Sequence, residues 1–516
     1  MRRHLLALMA LALPAALAAV APTASAHAAD HGPRPPTTTC APVRPTAPAG
    51  TYVDSVTVAA HAGGTISFPT AYPPVGPISD VPAWCDVTVT VSHLGANDHV
   101  KIKVSLPQDR SLWSGRFQAA GGSAYLAGDL TDPAPALVQA VKAGYAAGAT
   151  DAGVGQSSTD VSGWALTPRG TVNTALLTNF SSRSLHDLAV VGKDVAKKFY
   201  GRSVTYAYWN GCSTGGRQGY AEAQDHPTDF QGILANAPAI SWDRFAIATL
   251  WSQAVFHEEH VQPTTCELDA FTAAAVTACD DLDGRHDGVI DDPQKCDWDA
   301  RRLVGTTVWC DGQEITISAA TADAVRKIWA GPTAPSGKQL WYGPNKGASL
   351  DFLAAYGAPF VVASQWAQYF VTRDPSFDPT RLTYAEFYRL YASSQRRFHD
   401  VIGTDDPDLR AFARSGGKLI TWHGQADQLV PTLGTVNYKQ RVDRLLGARD
   451  VDSFYRVFLL PGVDHCADGT DPTNALDSLV TWVEKGRAPA TLTATTTLPD
   501  GGQVTRQVRP YASTRR

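Results

Sequence analysis

Only 18% of the 516 residues are charged, and no long run of a single sign occurs among them. With a formal net charge of -5, the chain offers neither a basic field for nucleic acid nor a charged strip for an anionic membrane surface. Methionine is nearly absent, at two residues, and no Cys-x-x-Cys pair occurs, which removes the common zinc and thiol-redox patterns. Beyond the N-terminus no apolar run reaches the ~20 residues that a membrane span needs. No internal repeat and no long low-complexity segment is present, so solenoid and fibrous architectures are excluded as well.

What is present reads as an exported globular protein. At 44% hydrophobic residues the chain can bury a sizeable core and has room for about two domains. Arg2 and Arg3 precede an apolar run from Leu5 to Val20, and Ala24-Ser25-Ala26 supplies a small-residue cleavage site. This predicts a signal peptide over residues 1–26, a flexible leader to about residue 39, and a secreted protein with no membrane partner. Export changes the reading of the eight cysteines: an even number in an oxidising compartment favours disulfides.

Strand-like alternation in "DVTVTVSHL" and "HVKIKVSLP" predicts paired strands, and "DLAVVGKDVAKKFYG" has helical spacing closed by Gly201. "VTYAYW", "GKLITWHG" and "FYRVFLLPG" read as buried strands, with a helix starting in "GGRQGYAEAQDH". Strands alternating with helices predict an α/β fold with a largely parallel sheet covered on both faces. Residues 241–404 differ in texture, with a dense acidic loop and Trp/Tyr-rich stretches. They read as an inserted subdomain, leaving 27–240 and 405–516 as the main domain.

Gly211-Cys212-Ser213-Thr214-Gly215 fits G-x-S-x-G at a strand-to-helix turn, where the glycines let backbone crowd in and expose the hydroxyl. The motif is short and recurs by chance, so its context carries the weight. A serine nucleophile needs a base, and the base an acid, and in this architecture they follow in the order Ser, Asp, His at successive strand ends. Asp427 in "TWHGQADQLVP" and His465 in "LLPGVDHCADG" stand where that order requires. His423 lies at the strand end and is read as bracing the turn. Asp464 and Asp468 share a loop with His465 and are placed awkwardly to orient it. Cys212 adjoins Ser213 and Cys466 adjoins His465, so a bridge between them would clamp the two reacting residues together. It would close a loop of more than 200 residues, stabilising by roughly 4 to 5 kcal/mol at most on chain-entropy grounds.

One oxyanion donor is expected to be the Thr214 N–H, the residue after the nucleophile. A second is expected from the glycine pair in "GRFQAAGGSAY", either Gly121 or Gly122. The loop "CDDLDGRHDGVIDDPQKC" places Asp280, Asp283 and Asp287 at short spacing among glycines, a set of hard oxygen donors suited to Ca²⁺ though not in EF-hand spacing. Cys279 and Cys296 bracket that loop and are expected to pair.

With "NGCSTGGRQG", "DFQGILANAPA", "GGKLITWHGQADQLVP" and "PGVDHC" in order along the chain, the sequence resembles the tannase and feruloyl esterase family of α/β-hydrolases. The Cys-Ser, Asp, His-Cys constellation is the specific part of the likeness. The resemblance implies a secreted serine esterase with a lid, acting on small aromatic esters. Hydroxycinnamoyl esters such as feruloylated plant cell-wall sugars are the first expectation, with galloyl esters or terephthalate monoesters as alternatives. A catalytically silent binding module on the same fold is the non-enzymatic rival. The resemblance also implies a structural calcium held by Asp280, Asp283, Asp287 and the carbonyls of Arg285 and Val289, with no catalytic cofactor, and a Cys40–Cys85 pair. Cys266 and Cys310 are then left for each other. Family members often carry a further disulfide near the C-terminus, which this chain, ending "VRPYASTRR", lacks. In the lid, Trp341, Tyr342, Trp366 and Tyr369 are candidates to enclose the acyl ring.

Overall fold

The computed structural model describes residues 39–71, 74–355, 357–469, 472, 474–498 and 501–513. The predicted signal peptide lies outside the described residues. Among the described residues fifteen strands form in chain order: β1 Thr51–His61, β2 Gly64–Phe68, β3 Val75–Val81, β4 Trp84–His93, β5 Val100–Pro107, β6 Arg116–Ala120, β7 Ala146–Thr150, β8 Tyr206–Cys212, β9 Gly232–Asn236, β10 Thr307–Cys310, β11 Gln313–Thr316, β12 Lys418–Gly424, β13 Tyr455–Leu460, β14 Leu492–Thr497 and β15 Gln503–Val508. Nine of them make one sheet in the order β1-β4-β5-β7-β6-β8-β9-β12-β13. The pairings from β7 to β13 are parallel, whereas β1, β4, β5 and β7 pair antiparallel at one end. The sheet is therefore mixed, and the parallel part is the one that carries the site. Counted from β4, this is the strand order of an α/β-hydrolase.

Alternation along the strands sorts two cores. Ala207 and Trp209 of β8, Ile233 of β9 and Leu419 of β12 face one side, with Leu185, Leu188 and Val195 of helix Ser184–Tyr200 and Tyr438 of helix Thr432–Leu446. Tyr208, Leu234, Ile420 and Trp422 face the other, with Leu137 of helix Pro135–Lys142 and Leu479 of helix Ala475–Lys485. Helices thus cover both faces, because a strand buried on both sides must present apolar residues at odd and even positions alike. Helix Ser184–Tyr200 ends where Gly201 takes the left-handed conformation at φ 73°, as its spacing predicts.

A third apolar cluster fills the long excursion between β9 and β12. It includes Trp242, Phe256, Phe271 and Phe398 and also draws in Tyr125, Trp164 and Phe180 from the loops after β6 and β7. Tyr125 is fully buried and its hydroxyl donates to the Val362 carbonyl at 2.8 Å, so those loops and the excursion share one core. Four disulfides join Cys40 to Cys85, Cys212 to Cys466, Cys266 to Cys310 and Cys279 to Cys296, with Cα–Cα separations of 5.5, 6.0, 5.8 and 5.5 Å. Among the described residues no helix is long and apolar enough to cross a membrane.

Candidate active site

β8 ends in Cys212, and helix Thr214–Asp225 begins two residues later, so the chain must reverse within Ser213. It does so with Ser213 at φ 62° and ψ -120°, a conformation that costs a non-glycine residue on the order of 1–3 kcal/mol and persists only where the surroundings enforce it. The enforcement is visible. The Ser213 N–H donates to the Asn236 carbonyl at 3.0 Å, and its own carbonyl accepts from the N–H of Ala239 at 3.1 Å, both at the end of β9. Gly216 lies so close to β9 that a Cβ there would come within 2.2 Å of the Asn236 oxygen. The buried guanidinium of Arg217, pushed down to about 9 by burial, donates to the carbonyls of Ser181 and Phe180 at 2.9 Å each and anchors the helix below. The serine hydroxyl itself has no hydrogen-bond partner among the described residues.

Asp427 and His465 sit past the ends of β12 and β13, two strands further along the same sheet edge. Both Asp427 oxygens are engaged: Oδ1 accepts from the N–H groups of Leu429 at 2.9 Å and Val430 at 2.7 Å, and Oδ2 from His465 Nδ1 at 2.8 Å and His423 Nε2 at 3.0 Å. Burial pushes the carboxyl up, but the charge of His465 and the hydrogen bonds from both histidines outweigh it, holding Asp427 well below the usual carboxylate range. His465 is fixed at its backbone too, where its N–H donates to Gln428 Oε1 at 2.8 Å. With Nδ1 committed to Asp427, the ring leaves Nε2 as its free nitrogen. The Cys212–Cys466 bridge then ties the residue before Ser213 to the residue after His465. The structure thus brings Ser213, Asp427 and His465 to one edge. Asp464 takes no part in the bonds to Asp427, and the side chain of Asp468 lies outside the described residues.

The oxyanion donors need a correction. The Thr214 N–H stands in the first turn of its helix, where no carbonyl four residues back accepts it. Neither glycine N–H is open: that of Gly121 donates to the Asn210 carbonyl at 2.9 Å and that of Gly122 to Gln218 Oε1 at 3.0 Å. The glycines serve packing instead, since a Cβ on Gly121 would lie 2.5 Å from Gly215 Cα and one on Gly122 1.8 Å from the Leu126 oxygen. No sequence signal singles out Gln218. Its amide nitrogen donates to the Ala127 carbonyl at 2.9 Å while its oxygen takes Gly122, and with Thr214 Oγ1 donating to the Ala124 carbonyl at 2.6 Å it clamps the glycine loop onto the serine helix.

Of the four aromatic residues expected to enclose an acyl ring, Trp366 is fully buried, stacked on Phe370 with ring centroids 4.5 Å apart and donating to Ser394 Oγ at 2.9 Å. Trp341 is buried as well. Both are core, and only Tyr342 and Tyr369 are half-buried.

In the acidic loop, Asp280 is buried and its Oδ1 accepts from the N–H groups of Asp287 at 3.1 Å and Val289 at 3.2 Å. Asp283 Oδ1 accepts from the Arg285 N–H at 2.9 Å. Two further residues join, neither visible from spacing. Arg506 of β15 donates to both oxygens of Asp287 at 3.0 and 2.8 Å, and its guanidinium lies 2.9 Å from Asp291. Burial pushes the Asp291 carboxyl up, with the facing Asp283 adding to the rise against the pull of Arg506. Asp287 and Asp291 thus share one guanidinium, Asp291 and Asp283 face each other, and Asp280 Oδ2 lies 3.2 Å from His286 Nδ1; the hard oxygen donors of this loop are of the chemical type a calcium ion takes.

Strand order and serine elbow together define an α/β-hydrolase. The family model for tannase and feruloyl esterase matches residues 85–513, and the chain belongs to that family of carboxylic ester hydrolases. It is 44% identical over 432 residues to a probable feruloyl esterase of Arthroderma benhamiae, covering 81% of this chain and 79% of the relative. It is 31% identical to feruloyl esterase B of Aspergillus niger, covering 78% of each, and 27% identical to a tannase of Aspergillus oryzae, covering 80% and 79%. The solved tannin acyl hydrolase of Aspergillus niger superposes with a TM-score of 0.80 at 26% identity over 90% of this chain and 89% of that one. Feruloyl esterase B of Aspergillus oryzae superposes at 0.74 and 26% identity, over 90% and 93%.

Proposed function

We propose that this esterase cleaves esters of phenolic acids, with feruloyl and related hydroxycinnamoyl esters first, through an acyl-enzyme on Ser213. The observation that carries the mechanism is the elbow: Ser213 at positive φ, bridged through Cys212 and Cys466 to the loop of His465, whose Nδ1 bonds the buried Asp427. Ser213 Oγ forms a bond to the ester carbonyl carbon as its proton passes to His465 Nε2. Asp427 stabilises the imidazolium, and the Thr214 N–H donates to the oxyanion. The carbon–oxygen bond to the alcohol breaks, and the alcohol leaves with the proton from His465. Water then gives a proton to the same nitrogen and attacks the acyl carbon, and Ser213 recovers its proton as the acid departs.

Relatives named feruloyl esterase match at higher identity than the one named tannase, which favours hydroxycinnamoyl over galloyl acyl groups. Export, supported by the N-terminal segment, would bring the enzyme to feruloylated sugars of plant cell walls. Asp280, Asp283 and Asp287, with the carbonyls of Arg285 and Val289, would hold a calcium ion that ties the loop together and takes no part in the chemistry. The test is kcat/KM on methyl ferulate, methyl p-coumarate, methyl gallate, a terephthalate monoester and a long-chain aliphatic ester. The hydroxycinnamates should lead; faster gallate would make it a tannase, and a preference for the aliphatic ester would refute an aromatic pocket.

A further inference from the structure

Far from the serine, at the antiparallel end of the sheet, β1 finishes in His61 beside Asp86 of β4 and Asp132 of the loop before helix Pro135–Lys142. His61 Nε2 lies 3.1 Å from Asp86 Oδ2 and 3.6 Å from Asp132 Oδ1, and the three donor atoms all fall within 4.8 Å of one another. A tetrahedral zinc with bonds near 2.1 Å holds its donors about 3.4 Å apart, so the spacing matches after a small closure of the exposed Asp132.

The surroundings fix the donors as a metal's outer shell would. Asp86 Oδ1 accepts from Trp84 Nε1 at 3.0 Å and Ser105 Oγ at 2.6 Å, which turns Oδ2 toward His61. The His61 ring is stacked on Trp84, centroids 4.2 Å apart and planes within 9°. Lys103 donates to the carbonyls of Leu130 at 2.7 Å and Thr131 at 2.9 Å, pinning the loop that presents Asp132. Oriented carboxylates and an oriented imidazole are what tune such sites. A surface cavity of about 390 Å³, lined by His61, Gly63, Ser67, Trp84 and Pro133, opens beside the cluster and gives an ion and its waters a way in.

We infer that His61 Nε2, Asp86 Oδ2 and Asp132 Oδ1 bind one borderline divalent cation of the zinc type, with water completing the shell. One imidazole and two carboxylates select zinc or its neighbours over calcium, which takes oxygen donors alone. A second cluster, His186, His226 and Asp229, does not compete: its imidazoles are stacked at 4.5 Å and 16°, so their in-plane lone pairs run side by side rather than converging, and Lys193 already donates to the Asp229 carbonyl.

Equilibrium dialysis of the whole protein against zinc, with calcium in excess to fill oxygen sites, tests this. Wild type should bind one zinc that His61→Ala loses and that Asp132→Asn, at an exposed side chain, weakens at least about tenfold, while His186→Ala and His226→Ala keep it. Cobalt in place of zinc should give a tetrahedral visible band that follows the same pattern. No zinc on the wild type, which would leave His61–Asp86 as an ion pair only, or unchanged binding in Asp132→Asn, overturns the site. So does loss in His186→Ala, which would place the ion at the other cluster.

Discussion

His423 and His465 donate to one atom, Oδ2 of Asp427, at 3.0 and 2.8 Å. His423 is fully buried; its Nε2 faces two acceptors, Asp427 and the Val430 carbonyl, so it carries the hydrogen, and its Nδ1 accepts from Thr435 Oγ1 at 2.8 Å. Asp427 is therefore shared between two imidazoles, and its charge is drawn partly away from His465.

Removing that second donor should have a readable consequence. In His423→Ala the Asp427 carboxylate bonds one histidine fewer and favours the His465 imidazolium more, so the acid limb of the kcat/KM pH profile should move to higher pH. Looser positioning of Asp427 should lower kcat by about tenfold. A lower kcat with an unmoved acid limb would mean that His423 only fills space.

The clamp makes a separate prediction. Replacing Cys212 and Cys466 by alanine should cost up to about 4–5 kcal/mol of stability and lower kcat more than it raises KM, because it frees the Ser213–His465 approach. Non-reducing peptide mapping of the wild type should recover the two cysteines joined. Full kcat in a folded double variant would contradict the clamp.

Asp243 predicts a pH effect. It is buried near Arg244 and His399, and burial pushes its carboxyl up to about 6. Unfolded, it titrates near 3.9. Between these values the folded state holds the proton and the unfolded state does not, so this group favours folding progressively as pH falls from about 6 toward 4, and opposes it above. Asp243→Asn should therefore be more stable than wild type at pH 7, by at most about 3 kcal/mol, with the advantage gone near pH 4. A pH-independent difference in denaturant midpoints would contradict this.

For the acidic loop, chelation should lower the melting temperature of the calcium-loaded protein, since an ion that binds only the folded loop stabilises by mass action. Asp283→Ala should melt identically with and without chelator. A wild type indifferent to chelator and free of calcium by elemental analysis would remove the ion from the account.

The serine elbow, the order of Ser213, Asp427 and His465 and the adjacent cysteines were legible because each is fixed by residues near it in sequence. Contacts that bridge distant segments were not. Nothing in "GRFQAAGGSAY" shows that the Gly122 N–H points at Gln218, because a glycine pair announces close packing without saying where its N–H groups aim. Arg506 reaches Asp287 across 219 residues, and β7, "AAGAT", has too little side chain to show a strand's alternation. Trp366 looked like a site residue because aromatic content in an insertion reads alike whether it lines a pocket or fills a core.

The central claim is that Ser213 carries the acyl group. Treatment with a fluorophosphonate probe followed by peptide mass spectrometry should find one modification, on Ser213, blocked by prior incubation with methyl ferulate. Ser213→Ala should fold, take no label and turn over no ester. Label on any other residue, or label and turnover surviving in Ser213→Ala, would contradict the mechanism.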